Sequence, residues 1–186
     1  MRVLGISGTP RVGGNSEILL DSALTPFVDE GWDVTKFLLS DKKIDPCIGC
    51  ESCTESSECF IDDDMQEIYG AYKTCDAIII SSPVYWRNVP AQLKALFDRT
   101  FAIREKRLLE GKMGGAIAVG RGSGGGQAIV LNIIYYFYLS CGAVCVPGEL
   151  NGVSAVADKA GDIASQPRRL EQARILGRNI LKHARK

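Results

Sequence analysis

Short apolar runs alternate with longer helical patterns along the whole chain, and this alternation limits the possible folds most. The apolar runs predict five strands, three of them almost uniformly apolar, as expected where helices cover both faces of a parallel sheet. These predicted strands are residues 2–6, 33–37, 77–81, 115–119 and 143–146. Apolar residues at helical spacing predict helices at 16–30, 64–74, 90–104, 127–141 and 168–184. Asp64 and Glu67 match a capping box at the start of the second helix.

Together these elements predict an α/β fold: a three-layer sandwich whose five-stranded parallel sheet has the flavodoxin-like order 2-1-3-4-5. In open parallel sheets, ligands bind beyond the carboxyl ends of the strands, where the strand order reverses. The loops after the first and third strands would lie beside that point. Residues 38–63 are too long and too polar for a simple connection, so we predict a cysteine-bearing insertion after strand two within one domain spanning 1–186.

Composition excludes several classes of protein. The 186 residues include 22 acidic and 22 basic side chains, and this zero net charge argues against a nucleic-acid partner. No charged-then-apolar leader follows Met1, so a cytoplasmic location is expected. The longest apolar stretch, 128–147, is about the length of a membrane span. Because Asn132, Ser140 and Gly142 interrupt it, we predict a buried helix and strand there and no membrane partner.

The charges are unevenly distributed. Residues 41–64 hold eight acidic residues and two lysines, whereas residues 167–186 hold seven basic residues and Glu171. The basic segment also carries an apolar stripe at helical spacing. This pattern predicts a helix whose apolar face is buried and whose basic face is exposed. A docking surface for an acidic partner is the alternative.

Four of the seven cysteines fall in one run, Cys47-x2-Cys50-x2-Cys53-x5-Cys59. Neighbours this close are poor disulfide partners, but three thiolates at two-residue gaps can wrap one face of an iron-sulfur cube while a fourth reaches the remaining iron. The run therefore predicts a [4Fe-4S] cluster, and the surrounding acidic residues predict a low reduction potential. Zinc is the main competitor, although zinc sites usually use two separated pairs or histidines, and redox-active disulfides are a third possibility.

The remaining cysteines, Cys75, Cys141 and Cys145, lie among apolar residues and are predicted to be buried and unreactive. His183 is the only histidine and is predicted to lie on an exposed helix face. No Ser-His-Asp or Cys-His catalytic set can therefore be assembled.

The loop after the first strand is rich in glycine and hydroxyl side chains and precedes a helix, as in sites that bind a phosphate group. It lacks the Gly-Lys-Ser/Thr ending of nucleotide hydrolases, so a monophosphate bound without magnesium is predicted. An ordinary glycine-rich turn is the alternative. The candidate ligands are Ser7, Thr9, Pro10, Arg11, Gly14, Asn15 and Ser16.

Two further loops follow the third and fourth strands. The loop after the third strand carries two aromatic side chains that can flank a planar heterocycle, and Arg87 would favour negative charge on the reduced form of that ring. The alternative is that the two aromatic side chains merely pack against neighbouring segments. The second loop contains a formal G-x-G-x-x-G, which we interpret as a loop over the ring rather than a nicotinamide site, because the dinucleotide motif belongs to a first strand. The candidate residues are Pro83, Val84, Tyr85, Trp86, Arg87 and Asn88, then Gly120, Gly122 and Gly125.

On these residues the sequence resembles the iron-sulfur flavoprotein family, a branch of the NADPH-dependent FMN reductase and flavodoxin-like group. The resemblance rests on residues 5–11, the cysteine run, residues 62–65, and residues 83–85 and 90–99. It implies FMN, with its phosphate in the first loop and its ring against the other two, and one [4Fe-4S] cluster on the four cysteines. It also implies a homotetramer built from dimers. Arg87 departs from the pattern, since relatives often carry glycine there, and a positive backbone angle at that position would strain it.

The combined expectation is an FMN-dependent oxidoreductase with no proton-transferring catalytic side chain. Single electrons would pass from a ferredoxin-like donor through the cluster to FMN and then to a small acceptor such as oxygen, peroxide or a quinone-like compound. Two alternatives remain: an NAD(P)H-dependent FMN or quinone reductase, and a zinc-stabilised binding module without redox activity.

Overall fold

A computed structural model describes residues 1–122 and 124–184. The six strands are β1 (Arg2–Ser7), β2 (Asp33–Leu38), β3 (Ala77–Pro83), β4 (Met113–Gly120), β5 (Val144–Cys145) and β6 (Val153–Val156). The α-helices are α1 (Asn15–Asp29), α2 (Cys53–Ser56), α3 (Met65–Thr74), α4 (Ala91–Arg99), α5 (Gly126–Ser140) and α6 (Pro167–Ala184). Short 3-10 turns follow at Thr100–Ile103 and Asp162–Ser165.

The sheet is parallel with the order β2-β1-β3-β4-β5, which confirms the predicted flavodoxin-like fold. One part of the prediction was incomplete, because the sheet position beyond β4 is shared by two strands. β5 pairs with the beginning of β4 at Met113 and Gly114, and the unpredicted β6 pairs with its end, from Ile117 to Gly120. The carboxyl edge of the sheet is therefore completed by β6.

Alternating side chains of the strands supply two apolar cores, one on each face of the sheet. In β3, Ile79 packs with α1 and α6, whereas Ile78 and Ile80 pack with α3, α4 and α5. Within the basic segment, Pro167–Ala184 form α6, and residues 185–186 lie outside the described residues. The predicted apolar stripe is buried at Ala173, Leu176, Gly177, Ile180 and Leu181. Gly177 permits the contact, because a Cβ there would collide with the Ala23 carbonyl oxygen of α1.

The long apolar stretch divides into α5 and β5, as predicted, but the predicted burial is only partial, because Tyr136 of α5 and Val144 of β5 are exposed. Within residues 1–122 and 124–184, no helix combines the length and apolar character needed to cross a membrane.

The predicted capping box at α3 is wrong. The Asp64 carboxylate accepts the Lys43 N–H at 2.6 Å, and Glu67 accepts a hydrogen bond from Lys42 at 2.9 Å. Asp63 takes the role instead, because its Oδ1 accepts the Met65 N–H at 3.1 Å. The acidic residues before α3 therefore fasten the preceding loop to the helix.

Candidate functional site

A cavity of about 250 Å³ opens at the carboxyl ends of β1, β3, β4 and β6, and we call it the cradle cavity. It lies where the strand order reverses, as the topology requires. The structure brings nine of the predicted cofactor ligands to its wall, from three different loops. They are Thr9, Arg11, Gly14, Asn15, Ser16, Pro83, Val84, Tyr85 and Gly120.

The other predicted ligands lie close in sequence to this wall without lining it. Ser7 is fully buried at the end of β1, and its hydroxyl has no hydrogen-bond partner among the described residues. Pro10 is half-buried in the first loop, and the remaining ones are exposed in the other two loops. These are Trp86, Arg87, Asn88, Gly122 and Gly125.

The first loop is tightly folded against the start of α1. A Cβ on Gly14 would lie 3.2 Å from Thr9 Oγ1 and 3.3 Å from the Arg11 carbonyl oxygen, so the glycine allows this approach. Thr9 Oγ1 also accepts the Arg11 N–H at 3.2 Å. No side chain caps the amino terminus of α1. The loop thus offers a helix terminus, a buried hydroxyl and an arginine to an anion.

Asn15 connects the first loop to the segment after β6. Its Nδ2 donates to the Lys159 carbonyl oxygen at 2.7 Å, and its Oδ1 accepts the Ile163 N–H at 3.2 Å. Residue Asn15 therefore fixes the segment after β6 as one wall of the cradle cavity.

Sequence reasoning missed this wall. Ala157, Asp158, Lys159 and Ala160 line the cavity, together with Arg121, which pairs with Asp158 at 2.7 Å. The only sequence feature that indicated this wall was the Val-Ser-Ala-Val alternation of β6, which is four residues long.

The third-strand loop forms a two-residue hairpin turn. Tyr85 and Asn88 exchange main-chain hydrogen bonds of 2.8 and 2.9 Å, with Trp86 and Arg87 between them. Trp86 has φ 51° and Arg87 has φ 60°, both in the left-handed region that glycine favours. Trp86 is fully exposed beside the cradle cavity. The positive angle foreseen for Arg87 is thus present, and so is one at its neighbour.

The loop after the fourth strand lies against the loop after the third strand. A Cβ on Gly126 would lie 2.7 Å from Val84 Cγ1, so the two loops approach closely only because this residue is glycine. Gln127 donates to the Gly122 carbonyl oxygen at 2.7 Å and holds the loop. Gly125, with φ 81°, is the N-cap residue of α5.

The four clustered cysteines line a second cavity, of about 70 Å³, which we call the cysteine cavity. Cys47 and Cys50 are exposed and Cys53 and Cys59 half-buried, and Arg99 and Phe101 complete part of the wall. Within the described part of the chain, no three Cys, His, Asp or Glu side chains converge on a point that could hold one metal ion. All four cysteines nevertheless line the same cavity.

Local hydrogen bonds distinguish the thiols. The Ser52 hydroxyl donates to Cys50 Sγ at 3.5 Å and lowers the pKa of that thiol. Burial raises the pKa of Cys53. After the cysteine run, Gln66 Nε2 donates to the carbonyl oxygens of Cys59 and Ile61 at 3.1 and 2.9 Å.

A buried ion pair lies under the cysteine cavity. Arg99 Nη1 contacts Asp63 Oδ2 at 2.7 Å and Nη2 contacts Oδ1 at 3.0 Å, with side chains 1% and 2% exposed. Burial alone would raise the pKa of Asp63, but Arg99 and the N–H groups of Asp45 and Met65 hold that pKa below its ordinary value. Asp63 is therefore a paired structural group rather than one of several solvated acids.

The three remaining cysteines follow the prediction only in part. Cys75 is buried, but Cys141 and Cys145 are half-buried. Burial raises the pKa of Cys75 and of Cys141 to about 11, so both thiols stay protonated near neutral pH. Cys141 also lines a larger cavity of about 770 Å³, together with Cys47 and the stacked rings of Phe97 and Phe137.

Comparison with known proteins agrees with this geometry. Residues 1–157 match the NADPH-dependent FMN reductase family. An iron-sulfur flavoprotein of Methanocaldococcus jannaschii is 40% identical over 184 residues, which cover 97% of this chain and 95% of that protein. The chain belongs to this family, in its iron-sulfur flavoprotein branch. A second iron-sulfur flavoprotein, from Methanosarcina thermophila, is 41% identical over 136 residues, covering 73% of this chain and 71% of that one.

Solved structures show the same fold. The NAD(P)H:quinone oxidoreductase of Methanothermobacter marburgensis superimposes with a TM-score of 0.73 at 19% identity and covers 97% of both chains. A flavodoxin from an archaeon superimposes with a TM-score of 0.65 at 15% identity, covering all of both chains. The family membership makes this iron-sulfur flavoprotein homologue an FMN-dependent oxidoreductase.

Proposed function

We propose that this flavoprotein transfers electrons one at a time from a ferredoxin-like donor, through a [4Fe-4S] cluster on Cys47, Cys50, Cys53 and Cys59, to FMN and on to a small acceptor. The observation that carries the proposal is the cysteine cavity, whose wall contains all four cysteines of the run. Bound together, the two cofactors would convert between single-electron transfer and the one- or two-electron chemistry of a flavin.

The cradle cavity fits FMN on the chain's own residues. The Gly14 approach, the uncapped start of α1 and Arg11 favour a phosphate group, and the unpartnered hydroxyl of Ser7 is a buried donor nearby. Tyr85 and Val84 would contact the flavin ring at the opposite wall. Asn15 would act indirectly, by holding the segment at Lys159 in place.

A cluster is favoured over a single ion because four cysteines, the number of ligands that a [4Fe-4S] cluster needs, line one cavity. The lowered pKa of Cys50 favours the thiolate form that metal ligation requires. Arg99, which is paired with Asp63, also lines this cavity.

The first test is anaerobic purification followed by an absorbance spectrum and iron, acid-labile sulfide, zinc and flavin analysis. Four irons, four sulfides and one FMN per chain are expected. A colourless protein that contains zinc and no sulfide would refute the cluster and favour a zinc-stabilised module.

The family match favours a second candidate, direct reduction of FMN by NAD(P)H, with the cluster as an accessory. Mixing the purified protein with NADPH, and separately with a reduced ferredoxin, distinguishes the two. Rapid bleaching of the flavin by NADPH alone would favour this candidate, whereas bleaching only by ferredoxin supports the first.

We also propose that the chain assembles as a homotetramer in the cytoplasm. Tyr136 and Leu139 on α5 are 69% and 59% exposed, which supports burial of this helix face against a second copy. Light scattering of the purified protein measures the mass directly, and a monomer would contradict the assembly.

A further inference from the structure

Arg99, the last residue of α4, holds both ends of the loop that carries the cysteines. Its Nη1 donates to the Asp45 carbonyl oxygen at 2.8 Å, two residues before Cys47. Its Nη2 donates to the Ile61 carbonyl oxygen at 3.3 Å, two residues after Cys59. With the two contacts to Asp63, one guanidinium therefore joins the chain before the first cysteine to the chain after the last.

One nitrogen of this guanidinium is left over. Arg99 Nε is buried and has no hydrogen-bond partner among the described residues, although the side chain is only 1% exposed. A buried donor of a charged group is costly to leave unpaired, and native proteins seldom do so without a reason. The acceptor for this N–H is therefore expected to be something other than the protein groups around it.

The location of Arg99 indicates what that acceptor is. Arg99 lines the cysteine cavity together with all four cysteines. Its carboxylate partner, Asp63, contacts Nη1 and Nη2, so the Nε–H is the donor that this ion pair leaves free. A cluster bound by four cysteines carries sulfide and thiolate sulfurs, which accept hydrogen bonds from N–H groups, and such bonds adjust its potential.

We infer that Arg99 Nε–H donates a hydrogen bond to a sulfur of the iron-sulfur group held in the cysteine cavity, and that it raises the reduction potential of that group. The inference rests on the proposed function. A hydrogen-bond donor to a cluster sulfur stabilises the more negative, reduced form, and so opposes the acidic residues of segment 41–64. Arg99 is thus a ligand-orienting residue and a determinant of potential.

The deciding experiment uses the intact, anaerobically purified holoprotein labelled with arginine carrying 15N at Nε. In the reduced state, pulsed EPR is expected to show a coupling of the cluster to 15N and to a proton that exchanges in D2O. Arg99→Lys keeps the charge but removes this donor, so we expect loss of the coupling and a shift of the potential to a more negative value with four irons retained.

Arg104→Lys is the matched control, because Arg104 is exposed and lines only the neighbouring larger cavity. It should keep both the coupling and the potential. A native holoprotein with an intact cluster but no 15N coupling would overturn the inference alone, even if Arg99→Lys failed to fold. Absence of iron and sulfide from the native protein would overturn the proposed function, and this inference with it.

Discussion

The cradle cavity and the cysteine cavity are built by different means. The first is formed by loops that leave the ends of β1, β3, β4 and β6, so the sheet itself sets its shape. The second is formed by the insertion 38–63, where the only helix is the single turn α2, together with residues at 98–102. The insertion is fixed to the domain in part by polar side chains, among them the buried pair of Arg99 and Asp63. One site is thus a property of the fold, and the other depends on a few contacts added to it.

The largest effect is expected from a substitution that empties the cysteine cavity and leaves the cradle cavity unchanged. Cys50→Ala removes one of four proposed ligands, so the cluster should be lost while FMN stays bound in the cradle cavity. Iron, sulfide and flavin per chain are measured. Cys145→Ala, a half-buried cysteine outside the run, is the control and should retain all three. Unchanged iron content in Cys50→Ala would refute the ligand assignment.

A second substitution tests how the cysteine segment is fastened. Asp63→Asn leaves the Arg99 charge buried without its partner, which costs about 3–5 kcal/mol in other proteins. We expect faster iron release to a chelator and faster proteolysis within 38–63, with FMN retention unchanged. The neighbouring exposed Asp62→Asn should change the free energy of unfolding by less than about 0.5 kcal/mol. Equal behaviour of the two variants would show that the ion pair does not fasten the segment.

For the cradle cavity, Arg11→Ala should weaken FMN binding about tenfold, because it removes a charged hydrogen-bond donor from the phosphate. The dissociation constant is measured by quenching of flavin fluorescence, and the cluster content should not change. Arg2→Ala is the control at the opposite end of β1. If Arg11→Ala binds FMN as tightly as the native protein, the phosphate lies elsewhere.

The ion pair also predicts a pH dependence. Because the pKa of Asp63 is lowered in the folded protein, its stabilising effect is present above about pH 4 and is lost as the pH falls through the folded pKa. The difference in free energy of unfolding between the native protein and Asp63→Asn, measured with urea at decreasing pH, should therefore shrink as the pH falls below about 4. A difference that does not shrink at any pH where both proteins fold would argue against a titrating Asp63.

The smallest effect concerns the turn beside the cradle cavity. Arg87→Gly relieves a left-handed backbone angle and should raise the free energy of unfolding by about 0.5–1 kcal/mol. Arg104→Gly, at a residue with φ −58°, should lower it by a similar amount. Urea unfolding measures both, and destabilisation by Arg87→Gly would mean that the arginine side chain makes a contact worth more than the strain.

The difference between the two sites also explains what the sequence could predict. Strand periodicity and the positions of the glycines are local signals, so the fold and nine cradle residues followed from them. The wall at 157–160 did not, because β6 is only four residues long and its pairing with β4 depends on the tertiary fold.

The contacts of the cysteine segment could not be foreseen in the same way. Asp63 and Arg99 are 36 residues apart, and each has a plausible local role, in an acidic helix start and at a basic helix end. Only the fold shows that the two meet under the cysteines. The capping box failed for the same reason, since the Asp64 carboxylate accepts the N–H of Lys43, from the preceding loop, and none from the helix.

Helix α4 connects the two regions, beginning shortly after the Trp86 turn and ending at Arg99. Nine residues span about 13 Å along the axis, and each residue also turns the helix by about 100°. Inserting or deleting a single residue in α4 would therefore point the arginine away from Asp63 even if every apolar contact were rebuilt. The number of residues in this helix, and not only their identity, is expected to be under strict constraint among chains that keep both sites.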